Sequence, residues 1–104
     1  HLDGAQFRDG HFTEANLSRS TFDSAKLAGA NFENADLSGS SLRRADLSDA
    51  NLTGANLTGS QMDFVRLRNA ELSGAETSNA SLVGADLTGT LLQNNHRSPG
   101  KASS

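Results

Sequence analysis

The residues able to do chemistry in this chain are few in kind. His1, His11 and His96 are the only imidazoles, and none is set with a Cys or acidic partner at ligand spacing. There is no Cys at all, which removes disulfides and thiolate metal sites. The Asp residues are spread along the chain and do not converge into the paired carboxylates that general acid–base work needs. Ser and Thr are plentiful, yet there is no phosphate loop and no nucleophile elbow. The expectation is a protein without catalytic residues, metal or cofactor, and so not an enzyme. What is left is recognition. The side chains singled out for a partner surface are Phe64, Arg44, Asp36 and Glu76, and those for an end-association surface are Leu91 and Leu92.

These residues are positioned by a five-residue unit that organises the chain. The stretch 45–60 reads ADLSD ANLTG ANLTG S, and the same phase holds in both directions. The centre of the unit falls at residue 2 and at every fifth residue to 92, giving nineteen centres. Leu fills 13 of them, and Phe7, Phe12, Phe22 and Phe32 fill four more; Met62 and Thr77 take the other two. The slot two residues before each centre, from Ala5 to Thr90, is Ala in 12 of 18 cases. The expected core centres are Leu17, Phe22, Leu27, Phe32, Leu37, Leu42, Leu47, Leu52, Leu57, Met62, Leu67, Leu72, Leu82 and Leu87. Large apolar residues outside the centres are rare, and the clear ones are Phe64, Val83 and Leu91.

Neither regular element accommodates this spacing. An α-helix turns about 100° per residue, so a centre every fifth residue would spiral over all sides. A flat strand alternates its side chains with period two, so an odd repeat would send successive centres to opposite faces. A short strand followed by a bend satisfies both limits. The slots two before, one before and at the centre then point in, out and in, and the next two residues turn a corner. The second corner slot suits this role, since it holds Gly4, Gly29, Gly39, Gly54, Gly59, Gly74, Gly84 and Gly89, with Asn34, Asn69, Asn79 and Asn94 among the others.

The A-(D/N)-L-x-x unit resembles the pentapeptide-repeat proteins, and the resemblance spans residues 2 to about 94. It implies an all-β chain folded as a right-handed quadrilateral β-helix of about five coils of twenty residues. Residues 1–94 are then the β-helix and 95–104 a polar, disordered tail. Stacked at roughly 4.8 Å per coil, the rod would be roughly 22–24 Å long. The resemblance also implies a non-enzymatic scaffold for protein–protein interaction. The alternative it offers is a rod that mimics DNA, binds DNA gyrase or topoisomerase and confers quinolone resistance. Members of the family also occur in the lumen of photosynthetic membranes and among secreted bacterial effectors.

With twenty residues per coil, residues twenty apart should stack. One outward column then reads Lys26, Asp46, Arg66, Asp86 and another Asp23, Arg43, Asp63, so opposite charges adjoin and neutralise one another. The column of Asn16, Asp36, Asn56 and Glu76 is smooth, polar and slightly acidic, which makes it the face that would imitate a phosphate backbone. Phe64 breaks the pattern in a corner slot, in the column Gly4, Ser24, Arg44, Phe64, Gly84. It reads either as a partner contact or as an aromatic covered by Arg44 through a cation–π contact.

The hydrophobic fraction of 35% is low, and only its strict register makes a thin continuous core from it. The net charge of −3 speaks against direct binding of nucleic acid. No apolar run approaches the roughly 20 residues of a membrane span. The chain starts in phase at His1 without a Met and is read as a fragment or a processed product. Its compartment is open; the reading is a soluble chain, with the cytoplasm slightly ahead of a lumenal or secreted setting. The partner is expected to be an unidentified protein, with a homodimer through a coil end at Leu91 and Leu92.

Overall fold

The computed structural model describes residues 3–90. The tail assigned to 95–104 and the pair Leu91 and Leu92 lie outside them. Within the described chain each repeat is three residues of strand and two of corner. The middle strand residue forms a parallel bridge with its counterpart twenty residues on, as in Asn16 with Asp36, Asp36 with Asn56 and Asn56 with Glu76. Twenty residues are four repeats, so each coil has four sides, and the chain is a right-handed quadrilateral β-helix. Its first face carries the centres Phe22, Leu42, Met62 and Leu82. The second carries Phe7, Leu27, Leu47, Leu67 and Leu87, the third Phe12, Phe32, Leu52 and Leu72, and the fourth Leu17, Leu37, Leu57 and Thr77.

Three backbone hydrogen bonds tie each side to the next coil. On the fourth face the Leu17 amide donates to Asp36 O (2.7 Å), the Asp36 amide to Ala15 O (2.9 Å) and the Arg19 amide to Ser38 O (2.8 Å). The corner is closed within the repeat, for example by the Ala50 amide donating to Leu47 O at 3.0 Å. The second corner residue has φ between +58° and +74° throughout the described chain. An i to i+3 bond with positive φ at the third residue is a type II turn, which favours Gly or Asn there. Glu14, Arg19, Arg44 and Phe64 nevertheless adopt it, with φ near +60°. The coil-to-coil bonds impose the conformation, at a cost of about 1 kcal/mol or more for a side chain without local compensation.

The fifth amide of the repeat, on the first corner residue, is left over. Here the Asp or Asn of the outward strand slot turns back and accepts from it. Asn31 Oδ1 takes the Glu33 amide at 2.9 Å, Asn51 the Thr53 amide at 3.0 Å and Asn56 the Thr58 amide at 3.1 Å. Asp36, Asp46 and Asp86 do the same for Ser38, Ser48 and Thr88. The slot tolerates either residue because it requires an acceptor oxygen and not a charge. On the first face, in the repeats where that slot is Thr21 or Ser41, the acceptor comes from the coil before. Asp3 takes the Asp23 amide at 3.0 Å and Asp23 the Arg43 amide at 3.1 Å.

The inward slots meet on the axis. The centres from Phe22 to Leu72 are at most 3% exposed, and Ala25, Ala30, Ala35, Ala45, Ala50 and Ala55 fill the space between them. The expectation of a buried centre is corrected at the end coils. Leu17 and Leu82 are half-buried and Leu87 is 37% exposed, because a described coil packs on one side only. Thr77, on the last described coil, is exposed. At the other end Phe12 stacks on Phe32 at 4.8 Å with an interplanar angle of 7°, and Phe7 meets Phe12 edge-on at 5.7 Å.

Two buried serines replace Ala on the first face. Ser40 Oγ donates to Leu37 O at 2.6 Å. Ser60 Oγ is buried and has no hydrogen-bond partner among the described residues. A buried hydroxyl without a partner forfeits its hydration, so Ser60→Ala should leave the fold neutral or stabilise it by about 1 kcal/mol in urea unfolding. The caps make an opposite forecast. Asn51→Ala should lose about 1 kcal/mol, whereas Asn51→Asp, which keeps the acceptor, should stay close to wild type at neutral pH in the same experiment.

Candidate functional site

The corner between the first and second faces departs from the others. Its second-slot column is Gly4, Ser24, Arg44, Phe64 and Gly84, and Phe64 is the only apolar side chain in that slot among the described residues. Corner side chains lean along the axis onto the coil that follows. The Arg44 guanidinium therefore lies over the Phe64 ring, 5.4 Å from its centroid. Phe64 in turn lies over Gly84, where an added Cβ would meet the ring at 2.6 Å. A side chain there would have to displace the Phe64 ring, whereas glycine leaves room for it and adopts φ +70° without strain. Despite these two neighbours Phe64 is 53% exposed, and Val83, whose carbonyl accepts the Phe64 amide at 2.8 Å, is 65% exposed. The corner thus presents an aromatic and a β-branched side chain to solvent side by side.

Beside this ridge the second face forms an open recess of about 390 Å³, lined by Lys26, Arg44, Asp46, Phe64 and Arg66. Lys26, Asp46 and Arg66 are stacked by parallel bridges. The sequence columns contained these neighbours, but read column by column they showed alternating charge and not a cavity beside Phe64. Val83 was visible as an apolar residue out of phase, without its partner.

The charged surface pairs differently from the simple column picture. Arg43 meets Asp63 at 3.8 Å, within its column. Arg68, from the corner, takes Asp86 at 3.6 Å in place of the stacked Arg66. Both pairs are solvent-exposed and contribute at most about 1 kcal/mol. Burial works against ionisation of Asp46, but hydrogen bonds from Ser48 and the charges of Arg66 and Lys26 outweigh it and hold the carboxyl below its ordinary range. Hydrogen bonds from the Thr88 hydroxyl and amide do the same for Asp86, assisted by Arg68.

Asp36 and Glu76 are placed elsewhere, on the fourth face, two coils apart in one column with Asn56 between them. Asp36 is half-buried, and its Oδ1 accepts from the Ser38 amide (3.0 Å) and hydroxyl (2.7 Å), which lower its pKa. Its carboxylate is occupied in closing a turn. The structure thus brings Phe64 and Arg44 together and separates them from Asp36 and Glu76. Among the described residues no group of three or more His, Cys, Asp or Glu is arranged to hold a metal ion, and no helix is long and apolar enough to cross a membrane.

A four-sided solenoid with a two-residue corner after every three-residue strand defines a class of β-helix built from five-residue repeats. Residues 1–39, 30–69 and 64–94 match the family model for pentapeptide repeats (8 copies), and the chain belongs to that family. No curated protein matches the sequence significantly. Among solved structures it is similar to a pentapeptide repeat protein of the Arabidopsis thaliana thylakoid lumen, with 32% identity and a TM-score of 0.82 over 86% of this chain and 62% of that one. A pentapeptide repeat protein of the cyanobacterium Cyanothece 51142 gives 29% identity and a TM-score of 0.64 over 85% of this chain and 64% of that one. A third, from Nostoc PCC 7120, gives 27% identity and a TM-score of 0.73 over 85% and 84%. The chain therefore spans less than two thirds of the length of the first two.

The lowered carboxyls fix the sign of an acid response. A group with a depressed folded pKa contributes stability above its unfolded value, and that contribution is lost as pH falls through the folded one. The urea midpoint should therefore be level above about pH 5 and drop as pH falls below about 3.9, the ordinary aspartate value. Asp36→Asn, which keeps the acceptor but cannot titrate, should make that drop smaller.

Proposed function

We propose that the chain is a non-enzymatic, rigid scaffold that engages a protein partner through the corner of Phe64. The observation that carries this reading is the half-exposed Phe64 ring held at φ +61°, backed by Gly84 and capped by Arg44. A bulky apolar residue in that backbone conformation costs stability and recovers only part of it while half its surface stays in water. Aromatic and Arg side chains are the residues enriched where protein interfaces hold most of their energy. A stacked solenoid supplies the rigid support that such an anchor needs.

The reading as a DNA mimic finds less support. Such a rod calls for a continuous acidic surface, whereas Arg43, Arg44, Arg66 and Arg68 stand on two adjoining coils. The fourth face offers Asp36 and Glu76, and Asp36 is engaged with Ser38.

The test is affinity capture from the cells that make the protein, comparing wild type with Phe64→Ser. Ser24 occupies the same corner column at φ +61°, so the substitution should leave the circular dichroism and urea midpoint intact. A protein retained by wild type should be depleted about tenfold by Phe64→Ser, the loss expected of an interface anchor. An unchanged set of captured proteins would overturn the assignment of the corner. Inhibition of gyrase supercoiling by the titrated chain would replace this reading with the DNA mimic.

A further inference from the structure

The charge of the recess beside Phe64 runs against that of the chain. The whole sequence carries −3, yet the recess is lined by Lys26, Arg44 and Arg66 against a single carboxylate, Asp46. Among the described residues the ion pairs of this surface engage Arg43 and Arg68, and none engages Lys26, Arg44 or Arg66 at ion-pair distance. Arg44 is held by the ring, not by a carboxylate. Three cations thus face one opening with their donor groups available, beside the half-exposed Phe64 ring.

We infer that the recess binds an extended acidic segment of a protein partner, with its carboxylates on Lys26 and Arg66 and an apolar side chain against Phe64 and Val83. This rests on the scaffold reading and adds the partner's chemistry to it. The geometry of the solenoid sets the spacing. Lys26 and Arg66 are two coils apart along one column, roughly 10 Å at the strand spacing. An extended peptide rises roughly 3.3 Å per residue, so acidic residues three positions apart, running along the rod, match the spacing of the two cations. Guanidinium groups at Arg44 and Arg66 suit carboxylates through paired N–H donors. A nucleic acid fits less well. Backbone binding to DNA rests on several phosphate contacts in a row, and here the column of Lys26 and Arg66 is interrupted by Asp46 and offers cations at two positions only.

The test is a titration of the isotope-labelled chain followed by amide chemical shifts. The probes are a short Glu-rich peptide containing Leu, the same peptide with Gln for Glu, a short oligothymidine, and phosphatidylserine vesicles. The Glu peptide should shift the amides of Lys26, Arg44, Phe64 and Arg66 at sub-millimolar concentration, with binding that weakens as salt is raised. The Gln peptide should bind about tenfold more weakly, the usual scale for losing charge-assisted hydrogen bonds. Arg66→Gln, a surface change with an intact urea midpoint, should reduce affinity for the Glu peptide and not for the Gln peptide. Equal binding of the two peptides, tighter binding of oligothymidine or vesicles, or no shift at millimolar peptide would overturn the inference. Capture that depends on Phe64 together with no response to the Glu peptide would sink the acidic specificity alone. Peptide binding with capture unaffected by Phe64→Ser would uphold the recess and sink the scaffold reading of the corner.

Discussion

Backbone pairing between residues twenty apart is the constraint from which the rest of this protein follows. Once each strand amide and carbonyl must find a partner one coil away, the outward slots stack in columns and the inward slots stack on the axis. Every corner must then turn in the same way. The corner conformation is a good example. Left to local preference, Arg44 and Phe64 would avoid positive φ, yet both hold it because the amides at these positions are committed to the following coil, to Asp63 O and Val83 O. Tertiary hydrogen bonding overrides propensity, and it does so at identical points in each repeat.

The repeat made the architecture legible. An odd spacing of apolar centres admits neither helix nor flat strand, and an inward pair of Ala and Leu leaves room for little but a narrow tube. What a single column could not reveal was contact between columns. Arg68 reaches Asp86 from the neighbouring corner, and the recess at Phe64 draws its walls from two columns. The Asp and Asn of the outward slot were read for their exposure, while their main task is to accept the amide of the first corner residue. The signal for this was present, since the slot admits both residues interchangeably and their shared feature is the side-chain oxygen. The bared Leu87 depends on how far each coil is covered, which periodicity does not encode.

The division of labour within the repeat explains why a surface can be specialised without disturbing the fold. Inward slots are fixed by volume and corner slots by backbone conformation. Outward slots are restricted where they cap and free where another residue supplies the cap. Lys26 and Arg66 occupy outward slots on the second face, and Phe64 exploits a corner whose following coil presents a glycine. Departures from the motif are concentrated at one edge of the solenoid, next to faces that keep it closely.

The coil-to-coil bonds run along the rod, three to a side, and this has a mechanical consequence. A force that draws the chain out by its ends peels one side at a time, so the resistance at any moment is three hydrogen bonds and a single centre. A grip on the ridge of Arg44, Phe64 and Gly84 is different, because it loads three coils together and their bonds resist in parallel. The rod is weak as a thread and strong as a beam. A partner seated along that ridge would act as a splint, tying together coils that are otherwise joined only to their nearest neighbours.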